Sequence, residues 1–270
     1  MNSKISTKKS YGLACCRYNL RNQQIEVLMI KKRTTFSFVE FTLGRYKKGD
    51  IRQIVNLMNR MSSEEKLDIW SLDFGRMWYR IWLVDPDSIY TSDSLKLSKE
   101  RYEKYSKCKH YFCSNFLKDK GVLIRKLLSD SITTETLWEL PKGRVAFPQE
   151  KHLNCAIREF EEETGISSSE YELLDSEPYT SSVQHGKVRY INYYYLCVLN
   201  SNSRYHNPQS LKLNYNTPQQ ITEVIGMQWM DINKVNTIDS GEKITKLLKI
   251  MFKTLRKKHR IKMMIDLKII

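Results

Sequence analysis

Four glutamates occur within five consecutive positions near the middle of the chain, and this cluster constrains the fold more than any other feature. They are Glu159, Glu161, Glu162 and Glu163. Apolar residues recur at steps of three and four from Leu153 to Phe160, which predicts an amphipathic helix that ends at Gly165. All of these glutamates except Glu161 share one face of that helix. Because stacked like charges destabilise a helix, the pattern indicates either a solvated acidic surface or a cation site.

Turn-forming residues frame the acidic helix. Pro141 and Gly143 precede it and Gly165 follows it, so the segment predicts a strand, a loop, a helix and a turn. Carboxylates and backbone carbonyls can converge on hard cations in such a unit. This framing favours a metal site over a purely solvated face.

The segment resembles the Nudix box, the signature of a family of metal-dependent pyrophosphate hydrolases. That box runs glycine, five residues, glutamate, seven residues, and then Arg-Glu-apolar-any-Glu-Glu-any-Gly-apolar. The matching positions, in order, are Glu150, Arg158, Glu159, Phe160, Glu162, Glu163, Gly165 and Ile166. The spacing departs from the family pattern once, because six residues separate Gly143 from Glu150. The extra residue lies in the loop ahead of the helix.

The resemblance implies an α+β fold, a Nudix α/β/α sandwich, that hydrolyses a diphosphate linkage. It also implies a bound Mg²⁺ or Mn²⁺, since these cations take oxygen ligands. The implied ligands are the carboxylates of Glu159, Glu162 and Glu163 and the carbonyl of Gly143. Arg158 is expected to orient these carboxylates through charge-assisted hydrogen bonds, with Glu150 as its partner.

Glu223 is a further catalytic candidate outside the box. Decapping members of the Nudix family take a general base or an extra metal ligand from a glutamate six residues before a tryptophan. By resemblance, Glu223 and Trp229 have that spacing. The predicted strand 221–230 would carry Glu223, although a strand glutamate is otherwise a solvated edge residue. Glu150 is the alternative base.

The order of hydrophobic patterns predicts a discontinuous catalytic domain. Residues 11–33 alternate as a hairpin of two strands, Tyr11–Tyr18 and Ile25–Ile30. The period then becomes helical, which predicts an all-helical domain, 36–133, inserted between 1–35 and 134–270. Asp50, Ser62 and Asp73 are candidate helix N-caps, and Gly121 is a candidate break. The predicted later elements are strands Tyr171–Leu174, Pro178–Val183, Val188–Leu199 and Ile221–Met230 and a last helix from about Ser240.

Stretches of the helical insert resemble the mRNA-decapping Nudix proteins of large cytoplasmic DNA viruses, of the poxvirus and African swine fever virus type. The matching stretches are Phe38–Tyr46, Met61–Glu65, Leu72–Trp82 and Leu137–Gly143. This resemblance implies a capped mRNA partner, release of 7-methyl-GDP and 5′-monophosphate RNA, and host shutoff in the host-cell cytoplasm. Hydrolysis of diphosphoinositol polyphosphates or of nucleoside diphosphate derivatives is the alternative. A non-enzymatic RNA-binding Nudix module is a second alternative.

Charge is unevenly distributed along the chain. The net charge is +15, yet residues 134–235, which hold the box, are net acidic while the flanking segments are net basic. Such a pattern suits a polyanion whose reacting phosphates reach the acidic centre. The alternative is that the positive charge only keeps the protein in solution, which would give the same charge pattern. The candidate RNA-binding residues, expected to form a track towards the box, are Lys96, Lys99, Lys104, Lys249 and Lys253.

Cap recognition in such enzymes uses aromatic stacking on the cationic methylguanine. The candidates are Phe36, Phe38, Phe41, Tyr179 and Tyr190, each of which is also a candidate for the core. The six cysteines form no CxxC motif, so reduced thiols are expected. No apolar run reaches the length of a membrane span, and no membrane partner is expected.

Overall fold

The computed structural model describes residues 5–84, 99–133, 136–185, 188–214, 218–239 and 243–266. The chain forms two compact units. The sheet unit comprises Met1–Lys31 and Trp138–Ile270, and the helical unit comprises Lys32–Leu137. The expected boundaries at 35/36 and 133/134 lie a few residues inside the helical unit.

The described part of the sheet unit contains a mixed sheet. Its strands are β1 (Ser6–Asn19), β2 (Gln24–Lys32), β3 (Trp138–Glu139), β4 (Lys142–Gly143), β5 (Tyr171–Leu173), β6 (Tyr179–His185), β7 (Val188–Leu199) and β8 (Val224–Asp231). β1 and β2 form the predicted hairpin. β7 pairs with β1 in parallel and with β5 and β6 in antiparallel orientation, so its predicted central position is confirmed.

Helices cover both faces of this sheet. They are α7 (His152–Thr164), α8 (Pro218–Glu223), α9 (Ile232–Ile238) and α10 (Lys243–Asp266), the labels α1 to α6 being those of the helical unit. Because successive strand residues point to opposite faces, Leu13 and Cys15 of β1 pack with α7, whereas Ala14 and Cys16 pack with α9 and α10. The predicted α/β/α sandwich is therefore confirmed, with α7 and α10 on opposite faces.

The described residues of the helical unit form α1 (Phe36–Thr42), α2 (Ile51–Asn59), α3 (Ser63–Trp70), α4 (Phe74–Trp82), α5 (Lys99–Phe116) and α6 (Val122–Ser129). The predicted N-caps are confirmed: Asp50, Ser62 and Asp73 each accept a backbone N–H from the residue three positions later. Gly121 ends the preceding turn with φ +77°, and a Cβ there would lie 2.8 Å from Leu72. This confirms Gly121 as the predicted break.

The prediction for the segment before β8 was wrong. The strand expected from Ile221 begins at Val224, and Glu223 is the last residue of α8. Gln220 explains the difference, because its buried side chain accepts the Asn214 N–H at 2.7 Å and donates to the Glu163 carbonyl at 3.1 Å. These contacts favour a helical turn over an extended strand.

The remaining predictions concern the last helix, the cysteines and membranes. The last helix is described from Lys243, and the predicted start at Ser240 lies outside the described residues. All six cysteines are free thiols, as expected. Of the helices in the described part of the chain, none is long and apolar enough to cross a membrane.

Candidate active site

The acidic helix α7 is held on the sheet by its apolar side. Cys155, Ala156 and Phe160 are fully buried against the sheet. Gly165 ends the helix in the left-handed conformation, φ +70°, which glycine adopts without steric cost. With one side of the helix fixed in the core, the glutamates have defined positions relative to the sheet.

A stack of rings fixes the first turn of α7. The His152 ring lies 4.1 Å from the Tyr11 ring, and the Tyr11 ring lies 5.2 Å from the Tyr193 ring, with both pairs nearly parallel. Tyr11 is also the strand partner of Gly143. The start of the helix is thus held beside the loop that precedes it. Local sequence patterns gave no signal for this stack, because its members come from three separate elements.

Gly143 provides the space that Glu159 occupies. A Cβ at this position would lie only 1.9 Å from the Glu159 carboxyl group. Any side chain at position 143 would therefore displace that carboxylate. A glycine is needed here because the Glu159 carboxylate lies against its backbone. The φ of Gly143 is not in the left-handed region.

Glu163 is held by the backbone of the same strand. Its side chain is almost fully buried, at 3% relative exposure, and accepts the Lys142 N–H at 2.9 Å. Gln220 donates to the Glu163 carbonyl and so attaches α8 to the end of α7. Gln220 is a structural contributor to the site that sequence patterns did not reveal.

Arg158 links the acidic side chains. Its guanidinium donates to both carboxylate oxygens of Glu150, at 2.8 and 3.1 Å, so the expected partner of Arg158 is present and the pair is bidentate. The same group donates to Glu159 at 2.9 Å and to Glu162 at 3.1 Å. It also donates to the Arg144 carbonyl at 3.0 Å, in the loop with the additional residue. The extra loop residue therefore leaves the Glu150–Arg158 pair intact.

Hydrogen bonds, burial and neighbouring charges shift the pKa values of Glu150, Arg158 and Glu159. The hydrogen bonds from Arg158 lower the pKa of Glu150, and the bonds to Glu150 are the largest cause of the raised pKa of Arg158. Burial is the largest cause of the raised pKa of Glu159, which Arg158 opposes. The charges of Glu162 and Glu223 raise it further. Glu223 therefore lies within electrostatic reach of Glu159.

The carboxylate oxygens of α7 are suitable ligands for a hard divalent cation, although they do not converge on one point in this structure. No group of three or more His, Cys, Asp or Glu side chains with metal-binding geometry occurs in the described ranges. The Arg158 guanidinium lies between the Glu159 and Glu162 carboxylates and hydrogen-bonds both. The carboxylate oxygens along this face of α7 are nevertheless the ligand type that hard divalent cations take.

The structure corrects most of the cap-stacking candidates. Phe38 and Phe41 are buried in the core of the helical unit, so neither ring can stack on a base. Tyr179 packs on the α10 face and its hydroxyl donates to Thr254 at 3.1 Å, so it is remote from α7. Tyr190 has the strand alternation of Tyr194 and lies on that face as well. Phe36 is exposed and remains a candidate.

The candidate RNA-binding lysines fall into two groups. Lys99 and Lys104 are exposed on α5, and the Lys104 ammonium lies 5.6 Å from the Trp82 ring. Lys249 and Lys253 are exposed on α10, on the face of the sheet opposite α7. An RNA track from this helix to the box would therefore have to pass from one face of the sheet to the other, and the track stays a prediction. Lys96 lies outside the described residues.

Comparison with known proteins identifies the family to which this chain belongs. The NUDIX domain model matches residues 116–249. The mRNA-decapping protein g5R of African swine fever virus isolate Pig/Kenya/KEN-50/1950 is 34% identical over 242 residues, 89% of this chain and 92% of the relative. The protein of the same name from strain Badajoz 1971 Vero-adapted is 33% identical over 244 residues, 90% and 91% of the two chains.

Among solved structures, a C. elegans Ap4A hydrolase binary complex aligns with a TM-score of 0.43 and 14% identity, covering 93% of this chain and 98% of that one. The assignment to a family rests on the sequence relatives, because the match to them extends along almost the whole of both chains. The chain is a Nudix hydrolase and belongs to the family of NUDIX proteins that includes African swine fever virus g5R.

Proposed function

We propose that this protein is an mRNA-decapping hydrolase that cleaves the cap pyrophosphate linkage and releases 7-methyl-GDP and 5′-monophosphate RNA in the host-cell cytoplasm. The observation that carries the proposal is the acidic face of α7. There the Glu159 carboxylate occupies the space beside Gly143 and Glu163 is fixed by the Lys142 N–H. The name of the viral relatives supports capped mRNA as the substrate.

The acidic face supplies oxygen ligands for a divalent cation, Mg²⁺ or Mn²⁺. The proposed ligands are the carboxylates of Glu159, Glu162 and Glu163 and the carbonyl of Gly143. When bound, the cation stabilises the negative charge on the phosphate oxygens and lowers the pKa of the attacking water.

Arg158 and Glu150 are positioning residues in this proposal. Arg158 restrains Glu159 and Glu162 through hydrogen bonds, and Glu150 restrains Arg158 through both of its oxygens. Glu150 is thereby engaged as an acceptor from Arg158 and from the Ala146 N–H. Its role as the alternative base is correspondingly less favourable.

We assign the general base to Glu223. It lies at the end of α8, within electrostatic reach of Glu159, and α8 is attached to α7 through Gln220. From there a carboxylate can accept a proton from water directed at the phosphate. The strand placement predicted from sequence was wrong, but the proximity to the acidic face supports the role.

The helical unit is the proposed binding site for the RNA body. Lys99, Lys104 and Arg101 lie exposed on α5, and two of these cations lie over the Trp82 ring. Basic side chains around aromatic rings suit a single strand, which offers both phosphates and stacking faces. Phe36 is the proposed cap-stacking residue.

Product identification tests the proposed function. The chain is incubated with cap-labelled RNA and Mg²⁺ or Mn²⁺, and the released nucleotide is identified. We expect 7-methyl-GDP. Hydrolysis of diphosphoinositol polyphosphates or nucleoside diphosphate derivatives without cap release would replace the proposal by the alternative substrate class. RNA binding with no hydrolysis of any of these would favour a non-enzymatic module.

A further inference from the structure

An aromatic side chain is exposed on the loop that joins β4 to α7. This box loop, residues 144–149, is one residue longer than the family pattern. Phe147 of the box loop has 54% relative exposure and Val145 has 41%, although most large apolar side chains are buried. The chemistry proposed above gives neither side chain a role.

Hydrogen bonds hold the backbone of the box loop in one conformation. Pro148 fixes its own φ and favours an extended conformation at Phe147. The Phe147 carbonyl accepts the Glu150 N–H at 3.0 Å, which closes a β-turn with proline at its second position. The Ala146 N–H donates to the Glu150 carboxylate at 2.7 Å. The exposed ring therefore projects from a fixed backbone.

The box loop is also attached to the catalytic carboxylates. Arg158 donates to the Arg144 carbonyl at 3.0 Å. The same guanidinium restrains Glu159 and Glu162, and both of its bonds to Glu150 are described above. A ligand that rests on the box loop therefore lies beside the groups that are proposed to act on the phosphates.

The charges at the two ends of the box loop favour a nucleotide. Arg144 and Lys151 are exposed, and neither forms an ion pair with another described residue. Basic side chains near an aromatic ring supply phosphate contacts together with a stacking face. Because the backbone is already ordered, stacking on this ring costs little conformational entropy.

The sign of these charges distinguishes between the two bases at the end of a capped RNA. The methylated cap base is a cation, so neighbouring positive charges disfavour it. The base of the first transcribed nucleotide is uncharged, and one ribose separates it from the triphosphate bridge. It can therefore lie on the box loop while the phosphates lie at the carboxylates of α7.

A protein partner fits the box loop less well. A stable interface buries about 800 Å² per partner. An aromatic side chain buries roughly 150–250 Å², so Val145 and Phe147 supply too little apolar area for such an interface. A single stacked base matches the size of one exposed ring.

We propose that Phe147 is a specificity-determining residue that stacks on the base of the first transcribed nucleotide of the substrate RNA. The ligand class is an uncharged nucleobase, and Arg144 and Lys151 contact the adjoining phosphates. The inference rests on the proposed function. Phe147 contacts the base and takes no part in the chemical step, so its removal should raise KM and leave kcat unchanged.

The test compares two capped RNAs that differ only at the first transcribed nucleotide, which carries either adenine or no base. Wild type should cleave the adenine RNA with a KM about tenfold lower, the usual size of one base–ring stack. Phe147→Ala should raise KM about tenfold for the adenine RNA and leave KM for the abasic RNA unchanged. Phe147→Trp should retain the preference. Leu20→Ala, which removes another exposed apolar side chain of the sheet unit, should behave as wild type.

An equal loss on both RNAs would show that Phe147 only supports the loop, and it would overturn the proposal. A preference for adenine that persists in Phe147→Ala would overturn it as well. Methylated and unmethylated caps test the other base. If the effect of Phe147→Ala depends on cap methylation, the ring contacts the cap and the assignment to the first transcribed nucleotide is overturned.

Binding of the same RNAs to the full-length variants is measured in parallel by fluorescence anisotropy without divalent cation. The dissociation constants should repeat the pattern expected for KM. A chain that releases 7-methyl-GDP but shows no preference that depends on Phe147 would retain the decapping function and refute this site. A chain that releases no 7-methyl-GDP but binds the adenine RNA through Phe147 would refute the decapping function and retain the site.

Discussion

At the scale of single residues, the site depends on the close approach of the Glu159 carboxylate to the Gly143 backbone and on hydrogen bonds that fix the carboxylates in place. Gly143 leaves the space for Glu159, the Lys142 N–H holds Glu163, and Arg158 restrains Glu159. The sequence motif predicted which residue types were needed. It did not predict the ring stack at His152 or the contact from Gln220, because those partners are distant in the chain.

The space at Gly143 makes a specific prediction. Gly143→Ala should lower kcat about 100-fold, because the new methyl group displaces the Glu159 carboxylate and small misplacements carry losses of this size. The displaced atoms end a side chain, so the melting temperature should change little. Gly226→Ala is the matched control, since its Cβ would be 3.7 Å from the nearest atom, an ordinary contact. If both variants kept wild-type kcat, Gly143 would have no role in positioning Glu159.

Glu223→Gln should slow the chemical step and leave substrate affinity nearly unchanged, because a general base acts mainly in the transition state. Single-turnover rates at saturating RNA measure the chemical step. Steady-state rates at varied RNA concentration give KM in the same buffer. A rise in KM with an unchanged single-turnover rate would show that Glu223 positions substrate. The base would then have to be sought elsewhere.

At the scale of elements, the sequence predicted structure that depends on neighbouring residues. It did not predict structure that depends on contacts between residues distant in the chain. The N-caps at Asp50, Ser62 and Asp73 depend on side chains three residues from their partners, and all were predicted correctly. The ends of β7 were also predicted, because an apolar run bounded by polar residues marks a central strand. The helix that carries Glu223 was missed, because Gln220 stabilises it through a contact to α7.

The cap of α3 predicts a pH effect on stability. Glu65 is fully buried and accepts hydrogen bonds from Ser62 N–H and the Thr35 hydroxyl, and burial raises its pKa. A raised pKa in the folded state means that Glu65 favours folding when protonated. That contribution is present below its unfolded pKa and is lost as pH rises through the folded pKa.

The test follows the free energy of unfolding of wild type and Glu65→Gln between about pH 4 and about pH 7. The difference between wild type and variant should become less favourable to wild type as pH rises. Other titrating groups cancel in this difference. A difference that stays constant, or that changes in the opposite direction, would contradict the assignment to Glu65.

At the scale of the whole molecule, each of the two units carries its own exposed cations. The helical unit carries exposed cations on α5, and the sheet unit carries others on α10. Net charge along the sequence indicated a polyanion, but it could not assign the basic helix to a face of the sheet. That assignment required the strand alternation and the packing of α10.

RNA length and salt should therefore affect cleavage together. The value of kcat/KM should rise from cap dinucleotide to long capped RNA, and the gain should shrink as salt increases, because each phosphate contact contributes a slope of about 0.7 in single strands. Lys99→Glu/Lys104→Glu should reduce the gain more than Lys9→Glu/Lys212→Glu does. Equal efficiency at all lengths would favour a small substrate over RNA.

The most direct test of the acidic face is the rate of 7-methyl-GDP release from cap-labelled RNA by Glu163→Gln and by Glu161→Gln. Both residues are glutamates of α7, but Glu163 is buried against β4 and Glu161 is exposed. We predict that Glu163→Gln slows release by several orders of magnitude, since a ligand carboxylate supports charge stabilisation of several kcal/mol and about 1.4 kcal/mol corresponds to tenfold in rate. Glu161→Gln should release 7-methyl-GDP at the wild-type rate. Full activity of folded Glu163→Gln at limiting metal would contradict the account.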